Sequence, residues 1–160
     1  MRTLVLGLGN ELYGDDGVAI HVIRHLRQEL EENKKAIKTL ENVDLMECSL
    51  SGLALLDLIA GYDFLVIIDT IKKQSPIPGR IHVLEAENLR AIPGPSPHYV
   101  SIPQTLEIGK KLGLQVPSKI KILAVEAKNI YHLGEGLSEE IAQHIPAIIR
   151  KLKEILKNEW

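Results

Sequence analysis

The sequence contains a single cysteine, Cys48. One thiol cannot form an internal disulfide bond or supply a metal site built from several cysteines. Cys48 ends a strand-like run and no catalytic motif surrounds it, so we expect a small core residue rather than a nucleophile. The chain also has no His-Glu-x-x-His segment, no Gly-x-Ser-x-Gly segment and no Cys/His nucleophile pair, so it does not support a conventional zinc, serine or cysteine hydrolase.

Aromatic residues make up 4% of the chain, and no block of basic residues is present. Lysine and arginine total 19 against 21 aspartates and glutamates, which gives a net charge of -2. A nucleic-acid-binding surface needs clustered cations to neutralise phosphates and often needs aromatic rings on which bases stack. We therefore expect no nucleic-acid partner.

Long hydrophobic runs are also lacking. The N-terminal apolar run, Leu4–Leu6, is short, stops at Gly7 and is followed by no small-residue cleavage site. It fits neither a signal peptide nor a membrane span, so we expect a cytoplasmic protein with no membrane partner. The 160 residues, 45% of them hydrophobic, are enough for a single domain over residues 1–160 with one core.

Strand-like and helix-like segments alternate along the first half of the chain. The run Leu4–Leu6 is typical of a buried parallel strand, and apolar residues at helical spacing follow over Val18–Leu30. The next two strands are predicted over Val43–Cys48 and Phe64–Ile68, with a short helix over Gly52–Ile59 between them. Strands that alternate with helices predict a doubly wound α/β sheet.

The second half departs from this alternation. The segment Thr70–Gly79 is too short for a helical crossover, so the next strand, Arg80–Leu84, is predicted to be antiparallel and near an edge. A helix over Pro103–Leu112 and a last strand over Lys119–Val125 follow. Apolar spacing near the C-terminus predicts a helix with a kink at Pro146.

The first strand runs into a glycine turn, Gly7-Leu-Gly9, of the kind that opens dinucleotide-binding folds. The third glycine of that motif is missing, since Leu12 stands in its place. Asp15 and Asp16 also put negative charge where a phosphate needs N–H donors. A nucleotide-binding domain is therefore the less favoured alternative.

The same two aspartates begin the first predicted helix, where one of them, Asp15 or Asp16, suffices as a cap. The second carboxylate is left over at the C-terminal edge of the sheet, where open α/β folds bind ligands. Asp69 follows the third strand at the same edge, and His98 lies in a proline-rich loop. Taken singly, Asp69 also fits a turn and His98 a solvated loop position.

Together, two carboxylates and one imidazole from separate loops would form a three-ligand site for a divalent transition metal, with positions left for substrate or water. The remaining histidines are predicted to be structural or exposed: His21, His25, His82, His132 and His144.

Five segments of the chain resemble the [NiFe]-hydrogenase maturation proteases. They are Gly7-Leu-Gly-Asn10, Gly14-Asp-Asp-Gly17, Asp69 after a hydrophobic strand, Ser96-Pro-His98, and Gly136-Leu-Ser138 before the last helix. The resemblance implies a three-layer α/β/α sandwich whose twisted five-stranded sheet is mostly parallel with one antiparallel strand. It also implies that Asp16, Asp69 and His98 contact the metal and form the catalytic site.

The resemblance further implies an endopeptidase that removes the C-terminal extension of a [NiFe]-hydrogenase large-subunit precursor after nickel insertion. The nickel would be supplied by the substrate, whose cysteines hold it, and would not be stored by the free protein. Hydrolysis would use water polarised by the metal, or Asp16 or Asp69 as general base. A non-catalytic nickel-sensing chaperone with the same three ligands is the main alternative.

Two positions depart from the pattern of that family. Many members have glutamate where this chain has Asp16, so the carboxylate here has a shorter reach. Many members have an acidic residue or glycine just after the histidine, where this chain has Tyr99, a position that bears on the choice of partner.

Overall fold

The computed structural model describes residues 1–33, 40–50, 52–85, 102–134 and 136–159. Within these residues the strands are β1 (Thr3–Leu8), β2 (Val43–Cys48), β3 (Phe64–Ile71), β4 (Ile81–Glu85) and β5 (Lys119–Glu126). The helices are α1 (Val18–Glu32), α2 (Leu56–Ile59), α3 (Ile102–Lys111), α4 (Glu139–Ala142) and α5 (Ile145–Asn158), with short 3₁₀ turns over Gly14–Gly17 and Gly52–Leu55. None of the described helices is long and apolar enough to cross a membrane.

The strands form a five-stranded sheet in the order β2-β1-β3-β5-β4. Neighbouring strands are parallel except for β4, which runs antiparallel to β5 at the edge. The connection from β3 to β4 contains no helix, and so short a connection cannot carry a parallel crossover. The predicted antiparallel edge strand is confirmed.

The sheet separates two apolar layers, because successive side chains of a strand point to opposite faces. Val5 and Val66 pack with α1 and α5 on one face, and Leu4 and Leu65 pack with α2 and α3 on the other. All eight residues of β3 are buried, which explains why its sequence is a continuous apolar run at first. This is the predicted three-layer α/β/α sandwich.

Strand β3 is longer than predicted. Its apolar signal stops at Ile68, but pairing with β5 continues through Asp69 and Thr70 to Ile71. The polar residues stay in the strand because their backbone groups are paired and their side chains take part in hydrogen bonds. Asp69 therefore lies within the strand rather than at its end, and its side chain is on the face opposite to that of Thr70.

The predicted kink at Pro146 is wrong. The C-terminal segment forms two helices, α4 and α5, and Pro146 lies in the first turn of α5. Proline is tolerated there because the first N–H groups of a helix have no partner within it. Ser138 caps α4, since its hydroxyl oxygen accepts a hydrogen bond from the Ile141 N–H at 3.3 Å.

Candidate functional site

The connection from β1 to α1 passes over the C-terminal edge of the sheet and folds back tightly on itself. A Cβ atom on Gly9 would lie 2.0 Å from the backbone oxygen of Asp16. A Cβ atom on Gly7 would lie 2.8 Å from the backbone oxygen of Ala19. The two glycines of the turn are thus explained by close packing of the chain against itself, without a bound phosphate.

Asp16 lies in the 3₁₀ turn before α1 and is buried, with 6% of the residue exposed. Its Oδ2 accepts a hydrogen bond from the backbone N–H of Asn10 at 2.9 Å. Its Oδ1 accepts one from the Thr70 hydroxyl at 2.6 Å. Because a donor contacts each oxygen, the plane of this carboxylate is fixed.

Asp69, in β3, is fully buried. Its Oδ1 accepts a hydrogen bond from the backbone N–H of Thr70 at 2.8 Å. Thr70 therefore donates to both carboxylates, from its backbone N–H to Asp69 and from its hydroxyl to Asp16. Thr70, a residue that the sequence pattern did not single out, is thus a shared hydrogen-bond partner of the two predicted aspartates. The sequence signal that could have identified Thr70 is its position: a second polar residue directly after Asp69, at the end of a long apolar run.

His98, the third predicted ligand, lies outside the described residues, as does Tyr99. In the parts of the chain that the structure describes, no group of three or more histidine, cysteine, aspartate or glutamate side chains is arranged to hold a metal ion. The assignment of Asp16, Asp69 and His98 as metal ligands stays a prediction.

Neither Asp15 nor Asp16 caps α1 with its side chain, contrary to the prediction that one of them would. That helix begins after Gly17 without a side-chain cap. The Asp15 carboxylate instead accepts hydrogen bonds from the backbone N–H and the hydroxyl of Ser138, at 2.7 and 2.9 Å. The Asp15 backbone N–H donates to the Asn129 oxygen at 3.0 Å. Asp15 therefore makes a tertiary link: it holds the 3₁₀ turn Gly14–Gly17 against the connection between β5 and α4.

A cleft of about 520 Å³ opens beside the connection between β1 and α1, which carries Asp16. Its lining includes Asn10, Leu12, His21 and Cys48. Cys48, predicted as a core residue, is half-buried: it packs on the core and also lines this cleft. His21 was predicted to be structural or exposed, yet it lines the same cleft. Both side chains are placed to contact a molecule that enters this cleft, whose lining includes Asn10, the backbone hydrogen-bond donor to Asp16.

Arg24 balances the negative charge on the cleft wall. Its guanidinium group donates to both oxygens of Glu11, at 2.8 and 2.9 Å, and to Glu47 at 2.8 Å. The hydrogen bond from Arg24 lowers the pKa of Glu47, so this carboxylate is ionised at neutral pH. The bridge ties α1 to β2 and to the β1–α1 connection.

Another buried carboxylate, Glu126, ends β5 and has its own set of partners. Its Oε2 lies 2.7 Å from His82 Nε2, with Lys73 and Arg80 within 4.0 Å. The Ile77 N–H donates to Oε1 at 3.3 Å. Burial raises the pKa of Glu126, but the hydrogen bond with His82 and the remaining N–H and cationic partners outweigh burial, so the pKa lies below its usual range. His82, predicted to be structural or exposed, is thus a hydrogen-bonded partner of a buried carboxylate.

Comparison of this sequence with known proteins and protein families identifies one family. The model of the hydrogenase maturation protease family HycI matches residues 20–155. The hydrogenase 2 maturation protease of Escherichia coli K12 is 26% identical over 159 residues, which cover 94% of this chain and 92% of that protein. The hydrogenase expression/formation protein HupD of Rhizobium leguminosarum bv. viciae is 24% identical over 160 residues, with coverage of 98% and 75%.

Solved structures share the fold. The hydrogenase maturating endopeptidase HybD from E. coli has a TM-score of 0.79 at 23% identity, with 99% of this chain and 94% of that chain covered. The [NiFe] hydrogenase maturation protease HybD from Thermococcus kodakarensis has a TM-score of 0.71 at 24% identity, with coverage of 98% and 99%. Because the family model spans most of the sequence and the fold agrees, this chain belongs to the hydrogenase maturation protease family and is a peptidase.

Proposed function

We propose that the chain is a cytoplasmic endopeptidase that removes the C-terminal extension of a [NiFe]-hydrogenase large-subunit precursor after nickel insertion. The observation that carries the proposal is the pair of buried carboxylates, Asp16 and Asp69, joined through Thr70 at the C-terminal edge of the sheet. In a peptidase without the sequence motifs of serine, cysteine or zinc hydrolases, these carboxylates are the candidate acid and base. The names of the relatives support a hydrogenase precursor as substrate.

Recognition of substrate-bound nickel is assigned to Asp16, Asp69 and His98. Two carboxylates and one imidazole bind a late transition metal only modestly by themselves. Cysteine thiolates of the precursor would hold the ion, and the three protease side chains would complete its coordination. Loaded precursor would then be positioned for cleavage, whereas empty precursor would not. In this scheme the nickel is part of the substrate rather than a resident cofactor.

Hydrolysis requires a group that takes a proton from the attacking water and returns it to the leaving amine. Asp16 and Asp69 are the candidates, and the orientation of Asp16 is fixed by Asn10 and Thr70. The water oxygen bonds to the scissile carbonyl carbon, the carbon–nitrogen bond breaks, and the amine leaves with the proton. Nickel carried by the substrate would add Lewis acidity at the same place.

The test is to incubate the purified protein with large-subunit precursor prepared with and without nickel, and to follow the intact mass of the precursor. We expect a mass loss equal to the C-terminal extension, confined to the loaded precursor. Binding of loaded precursor without mass loss would show a nickel-sensing chaperone instead. Equal cleavage of both preparations would show that the ion is not the recognition element, and Asp16 and Asp69 would then act as a metal-independent acid/base pair.

The third ligand is tested by His98→Ala, with His25→Ala as the control, since His25 is an exposed histidine of α1. The sequence predicts a loop around His98, where side chains contribute little packing, so the His98 variant should stay folded and lose processing. The control should process precursor at the wild-type rate. Normal cleavage by a folded His98→Ala protein would remove His98 from the site.

A further inference from the structure

Three large apolar side chains stand exposed on the two loops that border the candidate site. The exposed fractions are 53% for Leu12, 51% for Tyr131 and 78% for Leu133, and no other large hydrophobic residue in the described part of the chain exceeds Leu133. We call these three residues the apolar rim. Single exposed apolar residues are common, but a group of them beside a functional site indicates a contact surface.

The apolar rim is held in place by backbone hydrogen bonds. The Gly134 N–H donates to the Leu12 oxygen, and the Gly14 N–H donates to the Gly134 oxygen, both at 2.8 Å. These bonds join the two loops as a short parallel bridge between Tyr13 and Gly134. A surface that is already ordered loses little conformational entropy when a partner covers it.

The rim is continuous with the candidate site. Leu12 lines the cleft of about 520 Å³ described above. The centre of the Tyr131 ring lies 5.6 Å from Nζ of Lys72, which directly follows β3. The two carboxylates lie at this same end of β1 and β3. A protein whose tail enters the cleft would therefore contact Leu12, and the loop that carries Tyr131 and Leu133 is bonded to the Leu12 loop.

We propose that the apolar rim docks the folded part of the [NiFe]-hydrogenase large-subunit precursor through an apolar patch on that protein. The inference rests on the proposed function, because it takes the precursor as the partner. It adds a binding element that is separate from the nickel and from the scissile bond. Desolvated apolar anchors next to a binding site carry much of the affinity of protein interfaces.

The test compares Leu133→Ser and Leu12→Ser with Leu112→Ser. Leu112 is a matched control, because it is also a leucine with a large exposed fraction, 67%. It follows α3 and lies near Gln115, whose side-chain amide donates to Asp63 just before the start of β3. Leu112 is therefore at the N-terminal end of the parallel strands, away from the rim. The readouts are the Kd for immobilised nickel-loaded precursor and the KM for its processing. We expect each rim variant to raise both constants about tenfold. The Leu112 variant should match the wild type.

The outcomes separate this proposal from the proposed function. Since the substituted leucines are exposed, an unchanged melting temperature verifies that the variants fold. Wild-type Kd and KM in folded Leu133→Ser would overturn the docking proposal even if the wild-type protein cleaves precursor. Precursor binding that depends on the rim, without any cleavage, would keep the docking surface and overturn the peptidase function. Loss of self-association in the rim variants with precursor binding unchanged would identify a second copy of this chain as the occupant, and would also overturn the proposal.

Discussion

Replacing Thr70 with valine removes one hydroxyl group from the two-carboxylate site and leaves the rest in place. The side chain is buried, with 1% of the residue exposed, and valine fills nearly the same volume. The lost group is the donor that contacts Asp16 Oδ1 at 2.6 Å. The backbone N–H of residue 70 still donates to Asp69. The substitution therefore acts on the orientation of Asp16 alone.

The magnitude follows from the charge of the acceptor. A hydrogen bond to a charged group contributes about 1.5–3 kcal/mol. If the whole of it is needed in the transition state, the loss corresponds to a roughly ten- to hundredfold drop in kcat/KM. Asp16 keeps the hydrogen bond from the Asn10 N–H, so it is reoriented rather than released. We therefore expect a large decrease in the rate of processing and not its abolition.

The assay is the initial rate of precursor processing by Thr70→Val, with Thr70→Ser as the matched control that keeps the hydroxyl. The serine variant should retain most of the activity. Both variants should unfold cooperatively in urea, which verifies that they are folded before the assay. A folded valine variant with the wild-type rate would refute the role of Thr70 in orienting Asp16. Equal impairment of both variants would also contradict this role, because serine keeps the hydroxyl group.

Two further predictions concern stability. Asp15→Asn should lower the free energy of unfolding by about 1–3 kcal/mol, because an NH2 group, which cannot accept, replaces one of the two oxygens that accept hydrogen bonds from Ser138. A loss in urea no larger than that of Asp57→Asn, an exposed α2 residue, would contradict the tertiary link. Glu126→Gln should flatten the pH dependence of stability. The folded pKa of Glu126 is depressed, so its contribution is present above the unfolded value of about 4.3 and is lost as pH falls through the folded value. Parallel loss of stability by wild type and variant between about pH 6 and pH 3 would rule Glu126 out as the responsible group.

Much of the fold could be predicted because buried strands carry a local signal. The apolar run Leu4–Leu6 lies within β1, Thr3–Leu8, whose six residues are all buried. The antiparallel edge strand could be predicted from a connection too short for a crossover. The extension of β3 to Ile71 could not, because Asp69 and Thr70 are polar and are kept in the strand by pairing with β5, which is distant in sequence.

The site was predictable only as a set of residue positions. Asp16 and Asp69 could be assigned to one edge of the sheet because parallel strands end on the same side. The contacts that organise them are long-range: Thr70 reaches Asp16 across 54 residues and Asp15 reaches Ser138 across 123. No local pattern encodes such pairs. The prediction that Asp15 or Asp16 caps α1 is wrong for that reason, because both side chains bond to residues distant in sequence.

The central claim is that the Asp16–Asp69 pair carries the reaction, and single-turnover processing of nickel-loaded precursor tests it most directly. The proteins to compare are the wild type, Asp16→Asn, Asp69→Asn and the exposed control Asp57→Asn. Asparagine keeps the volume of the side chain and removes its negative charge. We predict that the precursor keeps its full mass with Asp16→Asn and with Asp69→Asn over a time in which the wild type and the control convert it completely. Conversion at the wild-type rate by both folded site variants would contradict the claim.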